Sequence, residues 1–483
     1  MKDLAQHALN VAEVAGATYA DIRIINEDSE RVEVKDGQVG SINRGTSGGF
    51  GIRVIANGAW GFASSPKIDK AEIERVARLA VKVAKASALL KVRDLELAPV
   101  EKYVDKYVTP HKKNPLEVSI EDKIALLLKT DEIMRKVKGV NITESQISSW
   151  VEDQLFASTV GSFIEQRIIQ CGGQFSATAI KDGDVQQRSY PSGLDGHYES
   201  NGYEMIEGLD FPGHAGQTAE EAVALLSAVQ CPSGEKDIII EGSHLSLQIH
   251  ESVGHPLELD RVFGSEANYA GTSFATTDQL DKLKYGSDIV TITSDPTCSM
   301  GLGSFGYDDE GVKAQKHDLI RNGLLVNYLS SRETAQMIGK NSTGAMRADG
   351  WGNMPLVRMT CINLEPGTKP LDQIISETDD GIYMATTKSF SIDDRRSNFQ
   401  FGTEIAWEIK KGRLGQMFKN ATYTGITPQF WNACDAIAGP QDWKIWGTNN
   451  CGKGEPGQSA RTAQGCAPAR FRKIKVGVIP GKK

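Results

Sequence analysis

Two histidines and a glutamate stand together in His250-Glu251-Ser252-Val253-Gly254-His255. Imidazole is a zinc ligand, and a carboxylate beside a metal-activated water is a general base for hydrolysis. The usual arrangement, H-E-x-x-H, sets both rings one turn apart on one helix face. Here the spacing is H-E-x-x-x-H, one residue longer. At about 100° per residue, a five-residue step in a regular helix turns the second histidine about 140° away from the first. A shared metal therefore requires a distorted turn, and a π turn with i→i+5 pairing absorbs one extra residue. Gly254 tolerates irregular backbone, and Pro256 disfavours regular helix just before it. Ser243 reads as the N-cap, with Leu245, Leu247 and Ile249 as an apolar run into His250. The alternative is a chance pairing, which 8 histidines in 483 residues make uncommon.

Catalytic zinc commonly takes three protein ligands and a water, so a third donor must come from elsewhere. Glu258 and Asp260 lie just downstream of His255. Cys451, between Asn450 and Gly452, reads as a turn residue, and Cys434 and Cys466 are rivals in the same region. The residues alone leave this choice open. Gly301-Leu302-Gly303-Ser304-Phe305-Gly306 matches the dinucleotide fingerprint G-x-G-x-x-G. The next residues, Tyr307-Asp308-Asp309-Glu310-Gly311, are turn-like and acidic and would repel a pyrophosphate; a glycine-rich connection is the better reading. Asp393-Asp394-Arg395-Arg396 reads as a solvated, self-paired charge run, and His244 as structural.

These residues must be positioned by a chain long enough for two or three domains. Hydrophobic residues make up 40% and charged residues 24%, as in a soluble globular protein. A net charge of −8 argues against a nucleic-acid surface, and no apolar run is long enough for a membrane span. The start Met1-Lys2-Asp3-Leu4 opens an amphipathic helix rather than a secretory signal, and seven scattered cysteines read as thiols. Together these imply a cytoplasmic setting.

The expected fold is α+β. An N-terminal α/β domain over 1–95 has a helix at 3–15, strands over 20–64 with hairpin signals at Asp36-Gly37 and Asn57-Gly58, and a helix at 70–90. The stretch 95–117 reads as a linker. A middle α+β domain over 115–230 has helices at 119–137 and 215–230 around strands at 142–159 and 162–180, with a turn at Asp182-Gly183. A large strand-rich domain over 234–475 carries the H-E-x-x-x-H helix. Its turn signals are Asn322-Gly323, Asp380-Gly381 and Lys411-Gly412.

His250 to Glu258, Gly303-Ser304-Phe305-Gly306-Tyr307-Asp308-Asp309-Glu310-Gly311 and Asn450-Cys451-Gly452-Lys453 together resemble the TldD branch of the TldD/PmbA family, also described as candidate modulators of DNA gyrase. Ala20-Asp21-Ile22-Arg23, Gly51-Ile52-Arg53-Val54 and Gly58-Ala59-Trp60-Gly61-Phe62-Ala63 are similar to the family's first domain, so the resemblance covers about 1–475. It implies a zinc metallopeptidase acting on unfolded or extended peptides. The implied metal ligands are His250, His255 and Cys451, with Zn2+ as cofactor and Glu251 as general base. It also implies a homodimer, or a heterodimer with a PmbA/TldE-type paralogue. It leaves Cys466 and the basic Arg470-Phe471-Arg472-Lys473 without a role. The rival expectation is a non-catalytic interaction subunit that regulates a protein partner.

Overall fold

The computed structural model describes residues 1–477 and shows a mixed α+β chain. Its first half consists of α1 (Lys2–Val14), β1 (Tyr19–Lys35), β2 (Gln38–Ala56), β3 (Ala59–Ser65), α2 (Lys70–Ser87), β4 (Val104–Val108), α3 (Ile120–Arg135), β5 (Val140–Ser158), β6 (Phe163–Lys181), β7 (Asp184–Tyr190) and β8 (His197–Glu199), then a helix at Phe211–Ser227. Three hairpins arise from local chemistry. Asp36-Gly37, Asn57-Gly58 and Asp182-Gly183 take φ of 49° and 77°, 52° and 73°, and 51° and 84°. Two successive positive φ values match the twist of the flanking strands. Helix starts are also local: Asp69 accepts from Glu72 N, and Ser119 from Asp122 N.

The stretch expected to be a linker carries β4, which pairs parallel with β6. A single sheet, ordered β3-β2-β1-β5-β6-β4 with β7 and β8 also on β6, runs through both N-terminal segments. Its continuity comes from the antiparallel pairing of β1 with β5. One apolar core lies under α1 and α2, a second under α3 and Phe211–Ser227.

In the C-terminal domain, strands Asp380–Ile392, Gly234–Ile240, Ala469–Val476, Thr422–Ile426 and Asn398–Lys410 pair in that order. Asp380–Ile392 pairs back onto Asn398–Lys410, which closes the circuit. Ile238, Ile240, Met384, Phe401, Tyr423 and Phe471 from this ring share one core with Leu245, Ile249, Val253 and Leu257 of the site segment. Asp380-Gly381 is therefore not a turn. It opens a strand, with Gly381 beside Asp237 in the parallel pairing to Gly234–Ile240. The basic tail is a central strand: Phe471 stacks on Phe430 at 4.1 Å, while Arg470 and Arg472 bond Asp435 at 2.9 and 2.6 Å.

Asp308, Asp309 and Glu310 hold the N-terminal sheet to this domain. Arg53 of β2 bridges Asp21 at 2.7 Å and Glu310 at 3.1 Å, with all three side chains at most 1% exposed. Arg23 of β1 reaches Asp309 at 3.5 Å. Asp308 accepts from the backbone N–H groups of Glu310, Val312 and Met346. The glycine-rich run before them is a loop, not the start of a helix, and a Cβ at Gly303 would lie 2.3 Å from Thr360 O. Removing one partner of a buried pair leaves an uncompensated charge, costing about 3–5 kcal/mol. Glu310→Ala is therefore expected to lose about 3–5 kcal/mol in urea unfolding; a loss within the range of an exposed salt bridge would show that the pair does not clamp the domains.

Candidate metal centre

The helix Gly242–Ile249 passes directly into a π turn at His250–Gly254, then a 3-10 turn at His255–Leu257. The N–H of His255 donates to His250 O, an i→i+5 bond. This is the distortion that the spacing requires. Gly254 has an ordinary φ of −57°, so its role is not conformational freedom. A Cβ there would lie 1.9 Å from Met359 Sδ, so glycine lets Met359 pack against the turn. The turn is braced from outside: Ser252 Oγ donates to Gln248 O (2.5 Å), Tyr285 OH to Ser252 O (2.5 Å) and Trp431 Nε1 to Ser252 Oγ (2.9 Å). The helix cap differs from expectation. Glu241 is the N-cap, and its carboxylate accepts from Ser243 N at 2.9 Å.

The π turn brings the rings of His250 and His255 to 4.9 Å between centroids. Cys451 joins them: one donor atom from each of His250, His255 and Cys451 lies within 4.8 Å of the others. His255 Nε2 is 3.5 Å from Cys451 Sγ. His250 Nδ1 is buried without a hydrogen-bond partner among the described residues. Cys451 sits on strand Lys444–Lys453 rather than in a turn, at a bulge between Thr448 and Cys451 in the pairing with Gln458–Cys466. A bulge re-aims a side chain locally. Cys434 and Cys466 lie outside the cluster. The Cys466 thiol bonds Gly242 O at 3.2 Å, which ties the same hairpin to the start of the site helix.

Glu258 lies behind His255 and outside the cluster of candidate ligands. Its carboxylate holds His255 Nδ1 at 2.9 Å and leaves Nε2 to face the thiol. Carboxylate partners of this kind fix the ring and raise its basicity as a ligand. Lys453, two residues past Cys451, reaches Glu258 at 3.3 Å and Asp260 at 2.7 Å. Burial opposes charge on His255, but the Cys451 thiolate and Glu258 outweigh it and raise its pKa to about 9. Burial likewise opposes a Cys451 thiolate, yet His250, His255 and Arg358 hold it well below the usual thiol range. An ionised thiolate among imidazoles is a donor set that fits zinc. His244 faces Thr387 Oγ1 at 2.8 Å and is kept neutral by burial, with its pKa lowered to about 3; it takes no part.

Glu251 is 5% exposed and ion-paired to Arg396. The Asp393–Arg396 run is thus not purely a solvated, self-paired one. This pairing joins residues 145 apart in sequence, and no local spacing signals it. A cavity of about 390 Å3 is lined by Glu152, Arg347, Trp351 and Arg461 and includes none of the three candidate ligands.

Glu258→Gln should weaken zinc binding about 10–100-fold in chelator competition; unchanged affinity would remove its supporting role. Metal must also displace a proton from His255, so the apparent zinc affinity should rise with pH between 6 and 8, below the pKa of about 9. A flat profile would contradict a protonated His255.

The chain matches the family models for PmbA/TldA metallopeptidase domain 1 over residues 20–84, the central domain over 113–228 and the C-terminal domain over 233–478. A metalloprotease of Methanocaldococcus jannaschii is 31% identical over 449 residues, covering 92% of this chain and 94% of that one. A zinc metalloprotease TldD homolog of Saccharolobus solfataricus is 22% identical, covering 96% and 98%. Among solved structures, a Thermotoga maritima protein described as a candidate modulator of a DNA gyrase superposes with a TM-score of 0.76 at 16% identity, covering 98% and 99%. TldE from Thermococcus kodakarensis gives 0.73 at 16%, covering 98% and 100%; both share the fold. With family domains matched along nearly its whole length, the chain belongs to the PmbA/TldD metallopeptidase family.

Proposed function

We propose that this chain is a zinc-dependent peptidase that hydrolyses unfolded or extended polypeptides. The observation that carries the proposal is the buried convergence of His250, His255 and Cys451, with buried Glu251 following His250 directly in the chain. Two imidazoles and a thiolate would hold the ion. When bound, zinc supplies Lewis acidity toward the scissile carbonyl and lowers the pKa of water toward about 7. Glu251, next to His250 in the chain, accepts the proton of the attacking water and delivers it to the leaving amine. Glu258 keeps His255 in one ring orientation throughout. Strand-rich walls around the site suit an extended peptide bound through its main chain, which gives broad sequence tolerance.

The proposal extends to the setting. The working unit is a dimer, of this chain with itself or with a PmbA/TldE-type paralogue, located in the cytoplasm. All seven cysteines are free thiols, and no described helix is long and apolar enough to cross a membrane.

Glu251→Gln tests the chemistry. It should retain zinc and lose about 10²–10⁴-fold in the rate of cleavage of an unfolded casein substrate. Cleavage at the wild-type rate with zinc in place would overturn the hydrolytic role of Glu251. Chelation should abolish wild-type cleavage, and added zinc should restore it.

A further inference from the structure

Arg396 sits in the turn between Asp380–Ile392 and Asn398–Lys410, in an unfavourable backbone conformation with φ of 61°. The surrounding bonds over-determine it. Arg396 N donates to Asp393 O (2.8 Å), Ser397 N to Asp393 Oδ1 (2.7 Å), and Thr427 Oγ1 to Arg396 O (2.8 Å). The preceding carbonyls are clamped onto the segment just downstream of the site helix. Asp394 O accepts from Arg261 Nη2 and Thr272 N, and Arg395 O from Phe274 N, each at 3.0 Å. Backbone strain held in place this firmly clusters at functional sites.

This rigid tip aims the guanidinium inward. The Arg396 side chain is 14% exposed, and Nη1 donates to Glu251 Oε2. Nε is buried with no partner among the described residues. A guanidinium presents five N–H donors in a fixed fork and keeps its charge. Neutralising Glu251 would need only one or two of them, and a cation on a relaxed loop would suffice. A buried, unspent donor on a rigid cation beside the proposed base fits a group prepared for charge that develops only during reaction.

We propose that Arg396 is a further catalytic residue, whose guanidinium donates to the carbonyl oxygen of the scissile bond as negative charge gathers there. The inference rests on the peptidase reading. The water oxygen bonds to the carbonyl carbon, one water proton passes to Glu251, and the carbonyl electron pair moves onto oxygen. Arg396 gives up no proton. When the C–N bond breaks, the pair on oxygen reforms the carbonyl, and the proton on Glu251 goes to the amine nitrogen.

The test uses the full-length, zinc-loaded chain and its Arg396→Lys and Arg396→Ala variants. Two fluorogenic peptides differ only in a free or amidated C-terminus, and a phosphinic peptide serves as a tetrahedral mimic. The expected result is a fall in kcat of about 10²–10³-fold for Arg396→Ala, equal on both peptides, with little change in KM. Affinity for the phosphinic peptide falls with it, zinc stoichiometry holds, the variant stays folded at the assay temperature, and added guanidinium restores part of kcat. Arg396→Lys keeps the charge but loses the fork, so it should be impaired even when fully folded. Wild-type kcat in both variants would overturn the inference. So would a loss that tracks zinc loss, or one confined to the free-acid peptide, which would make Arg396 a receptor for the C-terminal carboxylate. A wild-type chain that cleaves neither peptide would instead overturn the peptidase reading and this inference with it.

Discussion

One backbone hydrogen bond skips a residue, and the candidate metal centre depends on it. His255 N–H donates to His250 O across five residues instead of four. In a regular helix the two rings would diverge by about 140° and share nothing. With the π turn they stand 4.9 Å apart. A widened turn disturbs the helix ladder, so it persists only where other groups brace it. Here Ser252, Tyr285 and Trp431 do so, and Ile249 and Val253, both fully buried, anchor the segment in the core of the closed ring of strands.

The second constraint is charge. Cys451 and Lys453 arrive on the same strand end, one facing His255 and the other facing Glu258. A single short segment thus supplies a candidate ligand and the cation that keeps the ligand's supporting carboxylate ionised. Each partner offsets the desolvation of the next, and none is expected to survive removal of its neighbour unchanged. The same logic operates at larger scale where Arg23 and Arg53 enter the Asp308–Glu310 acids and join the N-terminal sheet to the C-terminal domain.

The elements legible in the sequence are those set by local chemistry. The Asp36-Gly37 and Asn57-Gly58 hairpins, the capped helices after Asp69 and Ser119, and the need for a bulge between His250 and His255 all depend on residues within about one turn of each other. Long-range pairing is not legible in this way. Asp380-Gly381 has the composition of a turn but is drawn into a strand by its neighbour Gly234–Ile240. Asp393–Arg396 has the composition of a solvated run, yet Arg396 turns inward and ion-pairs with Glu251. Spacing does not separate Cys451 from Cys434 and Cys466, because a strand bulge decides which thiol reaches the histidines. Gly254 is legible as special but for the wrong reason, since Met359 is invisible from the local sequence.

The central claim is that His250, His255 and Cys451 bind one zinc ion together. X-ray absorption at the zinc edge of the loaded chain tests it most directly. The account predicts one sulfur at about 2.3 Å and two imidazole nitrogens at about 2.0 Å, with the sulfur shell lost in Cys451→Ser. A zinc shell of nitrogen and oxygen alone in the wild-type chain would contradict it.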